Sequence, residues 1–148
     1  LGEGVADATF LAVAGLTRMG LADKITASLS PDDMLPAVAQ GAIGIERRVA
    51  DDEAAHLLQK LHHVETGLRV AAERAFLAVL DGSCRTPIAA LAEIAGKRLR
   101  LRTMILTPDG QEIHETEREG LAADAIALGE DAGQELKGRA GPNFFDAV

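Results

Sequence analysis

The chain has 148 residues, with 15 lysines and arginines against 23 aspartates and glutamates, which gives a net charge of −8. This acidic balance and the absence of tryptophan and tyrosine argue against a nucleic-acid-binding protein, because phosphate affinity needs a basic surface and base stacking needs aromatic rings. No apolar run approaches the roughly 18 residues of a membrane-spanning helix, so we expect no membrane partner. The single cysteine cannot form an internal disulfide, which favours a reducing cytoplasm as the location.

The first 62 residues are predicted to be pieces of larger domains. The apolar run 8–14 fits either a strand or the start of a helix, and periodicity alone does not separate the two. Residues 25–30 and 42–49 are predicted to be short strands, which need partner strands to satisfy their backbone groups. Because the chain begins with Leu1 rather than methionine, we expect it to start inside a domain.

The stretch "PDDMLPAVAQGAIG", residues 31–44, is predicted to be a connector. Its two prolines and two glycines are typical of backbone that is shaped by turns rather than packed into a core. Small residues also allow backbone N–H groups to approach a ligand closely. The sequence leaves open whether this segment is only a linker or also part of a binding site.

Two helices are predicted to follow the connector. Residues 51–61 open with three acidic residues, which favour a helix N-terminus. The second helix begins at Val64 and ends at the Asp-Gly-Ser sequence of residues 81–83, and its apolar residues recur at helical spacing. Glu65, Arg69 and Glu73 stand four residues apart on it and are predicted to support one another as opposite charges.

After residue 84 the hydrophobic period changes from helical to two. Residues 98–106 alternate between apolar residues and arginines, which predicts a half-buried strand, and residues 111–119 are predicted to return antiparallel through the turn at 107–110. Two registers are open. A two-residue loop would set Arg98, Arg100 and Arg102 opposite Glu119, Glu117 and Glu115, whereas a three-residue loop would pair Ile105 with Ile113.

The last predicted helix spans about residues 122–137. It carries one apolar stripe, formed by Ala125, Leu128, Ala132 and Leu136. Together these elements predict an α+β fold, in which a small antiparallel sheet of about three strands is covered by helices.

Cys84 is the only cysteine, so no internal disulfide can form, and the four histidines show no zinc-ligand spacing, so no metal site is expected. A lone cysteine of this kind is most often an inert buried residue. Its place in a loop beside Arg85 favours the thiolate, which is the reactive form. A Cys–His protease is disfavoured because no motif supplies the base.

Four blocks of the sequence, in order, resemble the porphobilinogen deaminase family, whose members are also called hydroxymethylbilane synthases. The blocks are "DATFLAVAGLTRMGL" at 7–21, "LPAVAQGAIGIERR" at 35–48, "LHHVETGLRVAAERAFL" at 61–77 and "LDGSCRTPIAALAE" at 80–93. The resemblance implies periplasmic-binding-protein-like α/β domains ahead of a cofactor-bearing C-terminal domain. Residues 1–40 would be the end of domain 2 with the connector, 41–62 a return segment of domain 1, and 63–148 domain 3.

The resemblance also implies an activity, in tetrapyrrole (haem) biosynthesis. Members of the family condense four porphobilinogen units onto a dipyrromethane cofactor, which a thioether bond attaches to the loop cysteine, here Cys84, and they release hydroxymethylbilane with loss of ammonia. The alternative is a non-catalytic α+β module of the same ancestry, which binds a ligand or partner and carries Cys84 as an ordinary thiol. An unrelated cysteine-dependent transferase is a third, more distant alternative.

The other site residues implied by the resemblance all concern the cofactor. They are Arg18, Gln40, Gly41, Ala42 and Ser83. The chain departs from the family at two of these places, with Gly-Ser-Cys where Gly-Gly-Cys is common and Ala-Gln-Gly-Ala where Gly-Gln-Gly-Ala is common. The catalytic aspartate is expected upstream of Leu1, so this chain alone is expected to be inactive and to need its N-terminal half or a swapped copy to cover its exposed edges.

Overall fold

The structure, a computed structural model, describes residues 1–82 and 86–146. The chain divides into two compact units, Leu1–Met34 and Leu35–Val148. Within the described ranges, no helix combines the length and the apolar character that crossing a bilayer requires.

The first unit contains little regular structure. Helix α1 spans Val13–Arg18 and a single 3₁₀ turn spans Ala22–Lys24, while no residue of the unit is buried. The prediction of a strand at 25–30 is wrong. Of the two alternatives for the run 8–14, the start of a helix is the one observed, because α1 begins at Val13. A strand persists only when a neighbour takes up its backbone hydrogen bonds, and none of the described residues pairs with this segment.

The second unit begins with the connector and two helices. Helix α2 spans Asp52–Leu58 and continues as a 3₁₀ turn over Gln59–Leu61, and the Asp51 carboxylate caps it by accepting from the Ala54 N–H at 2.9 Å. Helix α3 spans Val64–Val79. The strand predicted at 42–49 is wrong, because this exposed segment pairs with no strand of the described chain.

The predicted α+β core is confirmed. Three antiparallel strands, β1 (Ile88–Ala95), β2 (Arg98–Leu106) and β3 (Ile113–Leu121), lie in the order β1-β2-β3. A 3₁₀ turn over Ala122–Asp124 leads into helix α4, which spans Ala125–Ala140. Helices α3 and α4 pack on each other and on the sheet.

The register between β2 and β3 is neither of the two predicted registers. Leu106 pairs with Ile113, so the loop spans 107–112 and is longer than either alternative. The Asp109 carboxylate explains the length, because it accepts from the Thr107 hydroxyl at 2.5 Å and from the Gln111 N–H at 3.1 Å, and so organises a wide turn.

The charge ladder across β2 and β3 forms on the diagonal. Arg100 donates to both carboxylate oxygens of Glu117, at 2.8 and 2.7 Å, although Arg100 stands opposite Glu119 in the register. Arg98 pairs with Glu119 in the same way at 3.5 Å. Two of the three predicted charge pairs therefore exist, because strand twist brings diagonal side chains within reach of long residues. Arg102, the third arginine of the ladder, hydrogen-bonds to Glu93 on β1 at 3.3 Å.

The core lies between the two helices and one face of the sheet. Its largest fully buried side chains are Phe76, Leu99, Leu101, Ile105, Leu136 and Thr103. The apolar side of β2 and the stripe of α4 were predicted correctly, whereas Phe76 was not singled out. Thr103 satisfies its buried hydroxyl by donating to the Thr116 carbonyl at 3.0 Å.

We expect replacement of Glu135 by glutamine to flatten the acid dependence of stability. Hydrogen bonds from Arg118 and then Thr116 lower the pKa of Glu135 below its ordinary 4.5. Because the folded-state pKa lies below the unfolded one, the carboxylate stabilises the fold above the unfolded pKa, and this contribution is lost as pH falls through the folded value. Urea unfolding between about pH 5 and pH 3 measures the slope. Arg118→Gln should flatten the slope less, because Thr116 and Arg139 still hydrogen-bond to Glu135. An unchanged slope in both variants would contradict the assignment.

Candidate functional site

The connector runs along the free edge of β1. Ala37 forms an isolated antiparallel bridge with Ala89, and the Ala90 N–H donates to the Pro36 carbonyl at 3.1 Å. This contact covers part of an edge that would otherwise expose unpaired backbone groups. The connector is thus attached to the sheet just before the residues of the candidate site.

A buried carboxylate joins the connector to the sheet again, two residues after Ala90 on β1. Glu73 of α3 is 6% exposed, and its two oxygens accept from the Ala92 N–H at 2.8 Å and from the Ala39 N–H at 2.7 Å. Burial raises the pKa of Glu73, while the hydrogen bonds from Ala92 and Ala39 oppose that rise. The predicted support among the three charges takes two forms: Arg69 hydrogen-bonds to Glu65, whereas Glu73 faces inward and feels only the charge of Arg69, which lowers its pKa.

The connector turns sharply as it leaves β1. Ala39 has φ of 59° and Gly41 has φ of 80°, and the N–H groups of Gln40 and Ala42 donate to the carbonyls of Ala37 and Ala39. Alanine pays a steric cost in this left-handed region that glycine does not. Gln40, Gly41 and Ala42 are therefore brought together on one exposed turn.

A groove of about 380 Å³ lies between this turn and α3. Apolar side chains line most of it, including Ile43, Ile45 and Leu61. Arg74 lies at the same groove, is exposed, and makes no ion pair with any residue that the structure describes. A guanidinium beside an apolar wall suits a planar ligand that carries carboxylates.

Cys84 and Ser83 lie outside the described residues. The chain reaches them from the end of α3, where the Gly82 N–H donates to the Leu77 carbonyl at 3.1 Å, and resumes at Thr86 just before β1. Lys137 of α4 binds the end of α3 through the Val79 carbonyl at 2.8 Å. Arg18 is exposed at the end of α1, in the other unit.

Two models of known protein families match the chain. Residues 67–138 match the family model of the porphobilinogen deaminase C-terminal domain, and residues 1–56 match that of the porphobilinogen deaminase dipyromethane cofactor binding domain. The chain belongs to the porphobilinogen deaminase family. The resemblance of the four sequence blocks is thereby confirmed, and so is dipyrromethane as the cofactor of the family.

Curated relatives support the assignment to the porphobilinogen deaminases. The chain is 58% identical to the porphobilinogen deaminase of Paracoccus denitrificans over 146 residues, which are 99% of the chain and 47% of that protein. It is 54% identical to that of Nitrobacter winogradskyi over 142 residues (96% and 45%) and 52% identical to the chloroplastic enzyme of Pisum sativum over 151 residues (99% and 41%). The chain spans about half the length of the curated relatives it matches.

The described residues suit the cofactor of this family. A dipyrromethane carries acidic arms on each pyrrole, and guanidinium groups bind carboxylates through two parallel hydrogen bonds. Arg74 and the Gln40 side chain are exposed donors at the connector, and Arg18 is an exposed donor in the first unit. Neither Arg74 nor Glu73 was predicted from the sequence as a site residue. For Glu73 a signal was present, since it falls between Ala72 and Phe76 on the buried side of α3.

We expect Gly82→Ala to destabilise the packing of the end of α3 against β1. A Cβ at Gly82 would lie 2.4 Å from Leu77 Cδ1 and 2.7 Å from Ile88 Cδ1, so both side chains would have to move. The expected loss is about 1 kcal/mol of unfolding free energy, measured by urea denaturation. Gly44→Ala is the control, because nothing lies within 4 Å of a Cβ there. Equal stability of the two variants would show that the packing at Gly82 is not tight.

Proposed function

We propose that this chain is the cofactor-carrying portion of a porphobilinogen deaminase. The whole protein would join four porphobilinogen units to a dipyrromethane attached to Cys84 and release hydroxymethylbilane with loss of ammonia. The observation that supports this most is the match of one chain to both the cofactor-binding and the C-terminal domain of the family. The exposed connector turn at Gln40 to Ala42 and the exposed Arg74 add donors of the right kind.

Different residues of the chain would take different parts in this chemistry. Cys84 supplies a thiolate once, to form the thioether, and Ser83 lies beside it in the sequence. Arg18 and Arg74 neutralise carboxylate arms, and the amide of Gln40 adds a neutral donor. When bound, the dipyrromethane supplies the primer to which new pyrroles are added. The acid that assists each condensation is proposed to lie in the remaining half of the protein.

The domain plan and the location are part of the same proposal. Residues 1–40 would end domain 2 and form the connector, 41–62 would return to domain 1, and 63–148 would form domain 3. Domains 1 and 2 would be periplasmic-binding-protein-like α/β domains. We propose a cytoplasmic location, because the sequence has a single cysteine and its site depends on a free thiol.

We also propose that residues 1–62 pack against the rest of the whole protein. Large apolar side chains are exposed in this part of the chain, with Val5 at 85%, Ile43 at 95% and Val49 at 92%. Exposed apolar surface of this extent is typical of an interface. The occupant we propose is the N-terminal half of the whole protein.

The cofactor is tested by mass. The whole protein is expressed in a cell that makes porphobilinogen, and its intact mass and the mass of the peptide containing Cys84 are measured. We expect both to be heavier by one dipyrromethane. Unmodified Cys84 in an otherwise folded protein would favour the alternative, a non-catalytic module with an ordinary thiol.

The interface is tested with the isolated chain. We expect the chain alone to consume no porphobilinogen and to self-associate in size-exclusion chromatography, and we expect addition of the N-terminal half to give a defined one-to-one complex. A monomeric, well-packed chain with slow amide exchange throughout residues 1–62 would contradict the proposal. A stable symmetric dimer would instead indicate a swapped copy.

A further inference from the structure

Glu73 is the one buried carboxylate of the described chain, and the proposed condensation chemistry does not use it. Taking a carboxylate out of water is costly unless its lone pairs are satisfied. Among the described residues no cation does so directly, because Arg69, one turn earlier on α3, hydrogen-bonds to Glu65. Two backbone N–H groups satisfy Glu73 instead, and they come from two different parts of the unit.

The position of these two donors is specific. Successive N–H groups on the free edge of β1 belong to alternate residues, and one of them, that of Ala90, bonds to the Pro36 carbonyl. The next one, that of Ala92, would be left open because the connector turns away. Glu73 Oε1 accepts from Ala92 at 2.8 Å, and Glu73 Oε2 accepts from Ala39 at 2.7 Å, just where the connector departs.

We propose that Glu73 is a positioning residue, which fixes the connector turn of residues 39–42 on the domain that carries Cys84. The proposal rests on the proposed function, in which the turn presents Gln40, Gly41 and Ala42 to the cofactor. The carboxylate holds Ala39 in its left-handed conformation, φ 59°, from which the turn follows. Glu73 touches no reacting group and acts through the connector alone.

This role requires a side chain with two acceptor oxygens, one for each backbone N–H group, as a carboxylate has. In Glu73→Gln the amide NH₂ faces one of the two backbone N–H groups, so one hydrogen bond is lost while volume and shape are kept. Glu65→Gln is the matched control, because it makes the same exchange on the same helix at a half-exposed carboxylate that bonds to Arg69. If Glu73 only stabilised the fold, Glu73→Gln would lower the free energy of unfolding without a selective increase in amide exchange at the connector.

The first measurement is amide hydrogen exchange in the cofactor-loaded whole protein, transferred to D₂O and followed residue by residue. In Glu73→Gln we expect the amide that loses its acceptor, that of Ala39 or that of Ala92, to exchange about tenfold faster, and in Glu65→Gln we expect no change at either. In the wild type, which needs no variant to fold, the Ala39 amide should exchange at least about tenfold more slowly than that of Gly41 after correction for intrinsic rates. Wild-type rates at both Ala39 and Ala92 in Glu73→Gln, or equal rates at Ala39 and Gly41 in the wild type, would overturn the inference.

The second measurement is steady-state turnover of porphobilinogen by the same proteins. We expect kcat/KM to fall about tenfold in Glu73→Gln with full cofactor loading by mass, and to stay at the wild-type value in Glu65→Gln. Faster connector exchange with unchanged kcat/KM would reduce Glu73 to a structural residue and overturn the positioning role. A wild-type protein that consumes no porphobilinogen would contradict the proposed function instead, and exchange would then decide alone whether Glu73 holds the connector.

Discussion

Replacement of Gly129 by alanine is expected to destabilise the C-terminal domain more strongly than Gly82→Ala does. A Cβ at Gly129 would lie 2.1 Å from the Ala72 carbonyl oxygen and 2.9 Å from Ala75 Cβ, so helix α4 would have to move away from α3. Backbone cannot yield as a flexible side chain does, and overpacking of this kind costs about 3 kcal/mol. The better helix propensity of alanine returns only about 1 kcal/mol.

The measurement is urea unfolding of the chain, with Gly138→Ala as the control on the same helix. Nothing lies within 4 Å of a Cβ at Gly138, so its substitution should leave stability unchanged or raise it by up to about 1 kcal/mol. Gly133→Ala should resemble Gly129→Ala, because its Cβ would lie 2.7 Å from Val79 Cβ. If all three variants unfold at the same urea concentration, α3 and α4 do not cross as closely as the structure indicates.

The elements predicted correctly from the sequence are those in which the period of the apolar residues matches the side of the element that is buried. The alternation of β2 fixes which side of that strand is buried, and the stripe from Ala125 to Leu136 fixes the inner side of α4. Both follow from residues close together in the chain. The close crossing at Gly129 and Gly133 was not predicted, because a glycine in a helix gives no sign of what lies opposite.

The incorrect predictions have physical causes of a different kind. The strands at 25–30 and 42–49 have suitable local composition, but strand formation needs a partner that the described chain does not supply. The hairpin register depends on side-chain hydrogen bonds of Asp109 within the loop, which loop-length rules do not include. In the candidate site, the connector turn was found from composition and resemblance, whereas the burial of Glu73 was not predicted, because a charged residue on a helix is usually solvated.

Replacement of Cys84 by serine is expected to abolish the activity of the whole protein. In the proposed function the Cys84 thiolate attacks the methylene carbon of a porphobilinogen unit from which ammonia has left, and this forms the thioether. A serine hydroxyl remains protonated at neutral pH, so the variant should acquire no dipyrromethane. We expect porphobilinogen consumption to fall at least about a hundredfold, and the mass of the variant to lack the cofactor. Thermal unfolding of the variant is measured alongside, because a lower folded fraction would reduce activity for another reason.

Cys84 is the only cysteine of this chain, and once any cysteine in the remaining half of the protein has been replaced by alanine, a thiol-directed reagent reports on Cys84 alone. Alkylation of the cofactor-free wild-type protein before porphobilinogen is added should therefore reproduce the serine variant, while alkylation after loading should change neither mass nor activity. The pair of experiments separates two roles of a reactive thiol. A cysteine that is needed in every catalytic cycle would stay sensitive to alkylation after loading, whereas a cysteine that is modified once and then serves as an anchor would be protected. Full activity in Cys84→Ser would contradict both roles.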